Sequence, residues 1–202
     1  MRITLLVAVA AAIWLSLAGT ALAQDERRLV DVDGYGSCSI YEIHDAEGKA
    51  LQLPEHIQTA LDCPSLRALS PGGTLLLLDD GFHVLLHGLD TGDTHHIMDL
   101  EENVHGVSGA LWSNSGDRVL FSSVVQEQGH VTKLHMLFLD DPAGFWVASK
   151  DVRMNMVCGS ICAANPGEDY WLEPDGRVGY LTWDEIPYDL EGEAAVRYVV
   201  LP

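Results

Sequence analysis

Leu69-Ser70-Pro71-Gly72-Gly73, leading into Leu76 and Leu78, and Trp112-Ser113-Asn114-Ser115-Gly116, leading into Val119 and Phe121, are two copies of one pattern. A fainter third copy runs Leu172-Glu173-Pro174-Asp175-Gly176 into Val178 and Leu181. Each copy reads as a strand end, a tight turn built on Pro, Asn or Asp with Gly, and a second strand with apolar residues at alternate positions.

Working outward, apolar residues arrive in short bursts at 39–43, 74–78, 82–89, 95–100, 118–125, 133–139, 145–148, 177–183 and 196–201. Bursts of this length between Gly, Asp, Asn and Pro clusters are strands with turns, so the chain reads as all-β. Only residues 54–61, which open Pro-Glu, have helical character, amounting to a turn or two inside a connection. Leu69 and Trp112 are 43 residues apart, the spacing of a four-stranded propeller blade. Leu69 follows the turn at Gly48 by 21 residues and Trp112 follows the turn at Gly92 by 20, so the two registers agree. From Trp112 to Leu172 the distance is 60, which implies an insertion near residues 140–162, expected on a rim. The expectation is a small or partial β-propeller of four-stranded antiparallel blades, with Trp112, Val119 and Phe121 buried between neighbouring blades.

The run from Trp112 to Ser123, with Thr91-Gly92-Asp93 before it, resembles the repeat of TolB-type β-propellers, in which a Trp-Ser-Pro-Asp-Gly turn precedes an apolar strand ending near Phe-Ser-Ser. The resemblance covers roughly residues 40–200. The first copy lacks the Trp and Asp, and the third keeps Pro174, Asp175 and Gly176 without the Trp and Ser. That family's fold implies six blades. This chain holds about three and a half units, which either close into a very small ring or form an open arc whose sheet edges must be covered.

Arg2, an apolar stretch over residues 3–17 and Ala21-Leu22-Ala23 before Gln24 have the order of a secretory signal peptide, residues 1–23. The expected mature chain, residues 24–202, is one exported domain, periplasmic or secreted, with no transmembrane segment after cleavage. Cleavage removes one Arg and no acid, so a net charge of −19 becomes −20. Such a charge repels phosphate backbones and excludes nucleic acid as a partner. Cys38, Cys63, Cys158 and Cys162 are four thiols in an oxidising compartment and imply two disulfides. The nearer pairs, Cys38 with Cys63 and Cys158 with Cys162, close the shortest loops, although three connectivities are open.

Three groups of residues suggest metals. Residues 31–42 have the acids Asp31, Asp33 and Glu42 and the glycine Gly34 at the positions of an EF-hand calcium loop, with Tyr35 where an oxygen ligand belongs. Met154, Met156, Cys158 and Cys162 are soft donors suited to copper(I); as a disulfide and an apolar strand face they need no metal. His83 with His87 and His95 with His96 have the wrong spacing on a strand to chelate in pairs. Gly106-Val107-Ser108-Gly109 lacks the spacing of a nucleophile elbow, and acidic pairs such as Asp79-Asp80 are common in a chain with 30 acids. The sequence therefore implies a non-enzymatic module without a cofactor that binds another periplasmic or envelope protein, or a second copy of itself. A metal-binding protein is the alternative.

Overall fold

All three repeated turns join paired antiparallel strands in the computed structural model, which describes residues 27–31, 41–55, 57, 65–125, 131–139, 144–154, 156–158, 162–182 and 195–201. The first sheet holds β1 (Arg28–Asp31), β2 (Tyr41–His44) and β3 (Ala50–Leu51) in that order. A second, four-stranded sheet follows with β4 (Ser65–Leu69), β5 (Leu75–Asp79), β6 (His83–Gly88) and β7 (Thr94–Asp99). The third contains β8 (Val104–Val107), β9 (Leu111–Trp112), β10 (Arg118–Val125), β11 (Val131–Phe138), β12 (Trp146–Arg153), β13 (Val157–Cys158) and β14 (Cys162–Ala163). There β8 and β9 pair successively along β10, which pairs with β11, and β11 with β12. The fourth holds β15 (Tyr170–Leu172), β16 (Val178–Thr182) and β17 (Ala195–Val199). All pairings between these strands are antiparallel, as the short turns require.

The sheets stack face to face in chain order, and the apolar residues show why. Leu76 and Leu78 of β5 join Ile43, Leu66 and Leu85 in a cluster between the first and second sheets. Leu77, one residue out of phase, joins Leu86, Val119, Phe121 and Leu137 between the second and third. Leu120 of β10 faces the other way, into a cluster with Leu134, Met136, Tyr170 and Val178 between the third and fourth. Alternate residues of a strand serve opposite faces, so a strand covered on both sides carries an unbroken apolar run such as Leu75–Leu78.

Val119 and Phe121 are fully buried in the cluster between the second and third sheets, whereas Trp112, expected to be buried with them, is only half-buried at the edge of that cluster. The insertion differs from the rim loop that its length suggested. Its described residues form most of β12 and the β13–β14 hairpin, and Met154, Met156 and Cys162 lie in the core. β14 pairs with β10 at Val125, whose opposite side meets Val104, so the hairpin extends the third sheet, with Cys162 fully buried. The helical reading of 54–61 is seen at Glu55 and Ile57; the rest of that stretch after Glu55, like residues 1–23, Cys38 and Cys63, lies outside the described residues.

Candidate protein-binding surface

Serine explains the first two turns. Ser70 Oγ accepts from the backbone N–H groups of Thr74 and Leu75, and Ser113 Oγ accepts from those of Asp117 and Arg118. In all three copies the turn glycine has positive φ and donates to the carbonyl three residues earlier: Gly73 to Ser70, Gly116 to Ser113 and Gly176 to Glu173. The third turn is one residue shorter and has no serine; Asp175 accepts from the N–H of Arg177 instead. The second and third turns border a cleft of about 460 Å³ lined by Trp112, Ser113, Asp117, Arg118, Glu173 and Asp175. Its carboxylates are already engaged. Ser113 and Ser115 hold Asp117 below the ordinary carboxylate range, the backbone and side chain of Arg177 do the same for Asp175, and Glu173 accepts from the indole N–H of Trp171 at 2.8 Å.

The outer face of the fourth sheet is different. Register places Tyr170, Val178 and Val199 on the face toward the third sheet, and Trp171, Gly179, Leu181, Val196 and Tyr198 on the other. Trp171 lies across Gly179, and Arg177 sits 4.7 Å from the Tyr198 ring centre. Val196, Tyr198 and Val200 are 48%, 50% and 65% exposed. At the other end of the stack, the first sheet turns Arg28, Val30, Glu42, His44 and Ala50 away from its apolar cluster. One end face is apolar and the other mostly polar.

Two buried polar groups fasten the interior. His135 Nε2 and Ser123 Oγ are 2.8 Å apart, Nδ1 and Ser149 Oγ 2.8 Å apart, and the imidazole stacks on Phe121, so it links β10, β11 and β12. Burial pushes its pKa down to about 4, which leaves it neutral. The Tyr170 hydroxyl donates to Gly109 O at 2.6 Å and meets Ser108 Oγ, which meets Ser122 Oγ, joining the fourth sheet to the third. Sequence inspection missed both, because nothing local distinguishes a strand histidine or tyrosine with a buried partner from one in water.

Of the metal-suggesting residues, Asp31 ends β1 and Glu42 lies within β2, a hairpin in place of the two helices that flank an EF-hand; the Glu42 carboxylate meets His44 Nε2 at 2.9 Å. Residues 32–40 lie outside the described residues. Cys162 is disulfide-bonded, and the Cα of Cys158 stands opposite its own. His83 meets Asp80, and His96 meets Asp99, on the exposed β6–β7 surface, whereas His87 is buried and bonded to Thr94. Among the described residues no three His, Cys, Asp or Glu side chains form a group able to hold a metal, and no helix is long and apolar enough to cross a membrane. No protein-family model matches the chain, and neither does any curated protein.

Proposed function

We propose that this chain is an exported, non-enzymatic, TolB-like protein-binding module, built as an open arc of propeller blades and engaging its partner through the uncovered end of that arc. Taking β8 with β9 as one interrupted strand and setting the β13–β14 hairpin aside, the successive units have three, four, four and three blade strands. The observation that carries the proposal is the outer face of the fourth sheet. Every interior face in the stack meets an apolar neighbour, whereas Trp171, Leu181, Val196, Tyr198 and Val200 form an apolar face that packs on no described sheet. A grouped apolar face of this kind marks an interaction site more often than scattered exposed residues do. The polar outer face of the first sheet is a poor complement for it, which favours an open arc over closure within one chain.

A photo-crosslinking residue in place of Tyr198 tests the reading, with the same residue in place of Glu47, an exposed position in the β2–β3 turn, as the control. In the native envelope or secreted fraction, position 198 is expected to capture a discrete protein that position 47 does not. Equal capture at both positions, or none at 198, refutes the proposal.

A further inference from the structure

We propose that the exposed face of the β6–β7 hairpin is a metal-binding site, independent of the protein-binding face: a two-imidazole chelate for a divalent transition-metal ion, in which His83 and His96 each supply Nε2. Along the chain, His83 with His87 and His95 with His96 are wrongly spaced to chelate, but strand pairing takes one residue from each pair. β6 and β7 run antiparallel with His83 opposite Asp99 and Leu85 opposite His96, and a bulge falls between these two positions. The bulge decides the outcome. Residues three apart on a regular strand point to opposite faces, and the extra residue in β7 returns His96 to the face that His83 and Asp99 share. There the ring centres stand 5.7 Å apart, with His96 Nε2 2.8 Å and His83 Nε2 3.9 Å from the same oxygen, Asp99 Oδ1. Both nitrogens are directed toward one point.

A second observation prepares one of the ligands. Asp80 Oδ2 lies 2.9 Å from His83 Nδ1, while Asp80 Oδ1 accepts from the backbone N–H groups of Phe82 and His83, so the carboxylate is fixed by its own turn. By accepting the Nδ1 proton it leaves the lone pair of the neutral ring on Nε2, the arrangement in which carboxylate–histidine pairs hold metals. On His96 the ion replaces the proton that Nε2 shares with Asp99.

Among the described residues no three side chains form a metal-holding group, so water fills the remaining positions, and Asp99, its side chain 76% exposed, stays beside the ion as a counter-charge. Imidazole nitrogen favours copper(II), nickel and zinc over calcium and magnesium, with copper(II) tightest. A net charge of −19 draws cations toward such a site.

Isothermal titration calorimetry of the untagged mature protein with zinc and with copper(II) tests the proposal. The parent is expected to show a saturable site for each ion, tighter for copper(II). His83→Gln and His96→Gln, at side chains 46% and 53% exposed, are expected to fold like the parent and each to lose about tenfold or more in affinity. His95→Gln, on the opposite face against Phe145, is expected to bind like the parent. A parent that binds neither ion, a His83→Gln or His96→Gln variant that binds like the parent, or a His95→Gln variant as weakened as those two, overturns the proposal. Side-chain nitrogen NMR of the parent needs no variant: zinc is expected to shift Nε2 of His83 and His96 together, and a shift of one alone, or of neither, overturns it as well.

Discussion

Replacing Tyr170 with Phe removes one oxygen from the junction of the third and fourth sheets and leaves the ring in its cluster. Tyr170 is fully buried, and its hydroxyl donates to Gly109 O at 2.6 Å while meeting Ser108 Oγ at 2.5 Å. Ser108 and Ser122 are buried as well, so no water replaces the lost donor freely. A buried acceptor losing its partner costs about 1 to 3 kcal/mol; Gly109 O is partly buried and Ser108 Oγ, already 3.2 Å from it, recovers part of the loss, so about 1 to 2 kcal/mol is expected at neutral pH. Alkali supplies a second signature. Unfolded, the phenol loses its proton near pH 10, whereas burial raises the folded value to about 12. The folded state thus binds more protons between those values, and stability falls as pH rises through the window, by about 1.4 kcal/mol at pH 11. The Phe variant has no such group, so the two stabilities converge. Urea unfolding of both proteins from pH 7 to 11 checks this. A difference near zero at pH 7, or one that stays constant to pH 11, refutes the claim that this hydroxyl is buried and bonded between the sheets.

Acid acts through His135 with a sign of its own. The folded pKa lies near 4 against 6.5 unfolded, so the stability present above pH 6.5 is lost as pH falls toward 4, by about 3 kcal/mol. Urea unfolding at pH 7, 5 and 4 should show His135→Gln weaker than the parent at pH 7 and flatter across that interval. Trp112→Ala is expected to cost about 3 kcal/mol, the lower end for a large aromatic, because the ring is only half-buried; Trp112→Phe should cost less than about 1 kcal/mol, since the buried indole N–H has no partner among the described residues. Both are read from urea midpoints. Gly179→Ala brings a Cβ to 2.4 Å from the Trp171 indole; displacement of the ring should cost about 1 to 3 kcal/mol and red-shift the tryptophan emission. Alkylation of the mature protein under denaturing, non-reducing conditions should label no cysteine, and labelling of two would end the two-disulfide reading.

The turns were legible because their chemistry is local: a serine hydroxyl caps two N–H groups and a glycine takes positive φ within six residues, so the repeat shows in the letters. The double-sided burial of Leu75–Leu78 went unread, because marking only Leu76 and Leu78 as alternate apolar positions describes one covered face, whereas the run is unbroken and Leu77 packs on the other side. Other strands were hidden. β12 carries Ser149-Lys150-Asp151 at exposed positions of an outer strand, which left only its first residues visible as an apolar burst. β8 contains Gly106 in place of an apolar residue, because positive φ and the Asp79 carboxylate, 2.8 Å from where a Cβ would sit, leave no room for a side chain. The alternation of Val196, Tyr198 and Val200 announced a strand; that its apolar side lacks a described covering sheet depends on the stacking order of sheets far apart in sequence.

The acidity of the chain has a structural origin at several of its sites. Asp45 accepts from the N–H of Lys49, Asp79 from that of Gly81, Asp80 from those of Phe82 and His83, and Asp175 from that of Arg177. These carboxylates close turns, so part of the negative charge follows from topology. Asp79 goes further: it is buried and ion-paired with Arg67 of β4 within the second sheet, beside Gly106 of β8 in the third. Removing only the Arg67 partner would strand a buried carboxylate, the costlier half of such a pair to leave alone. The apolar face at Val196, Tyr198 and Val200, by contrast, closes no turn and packs on no described sheet.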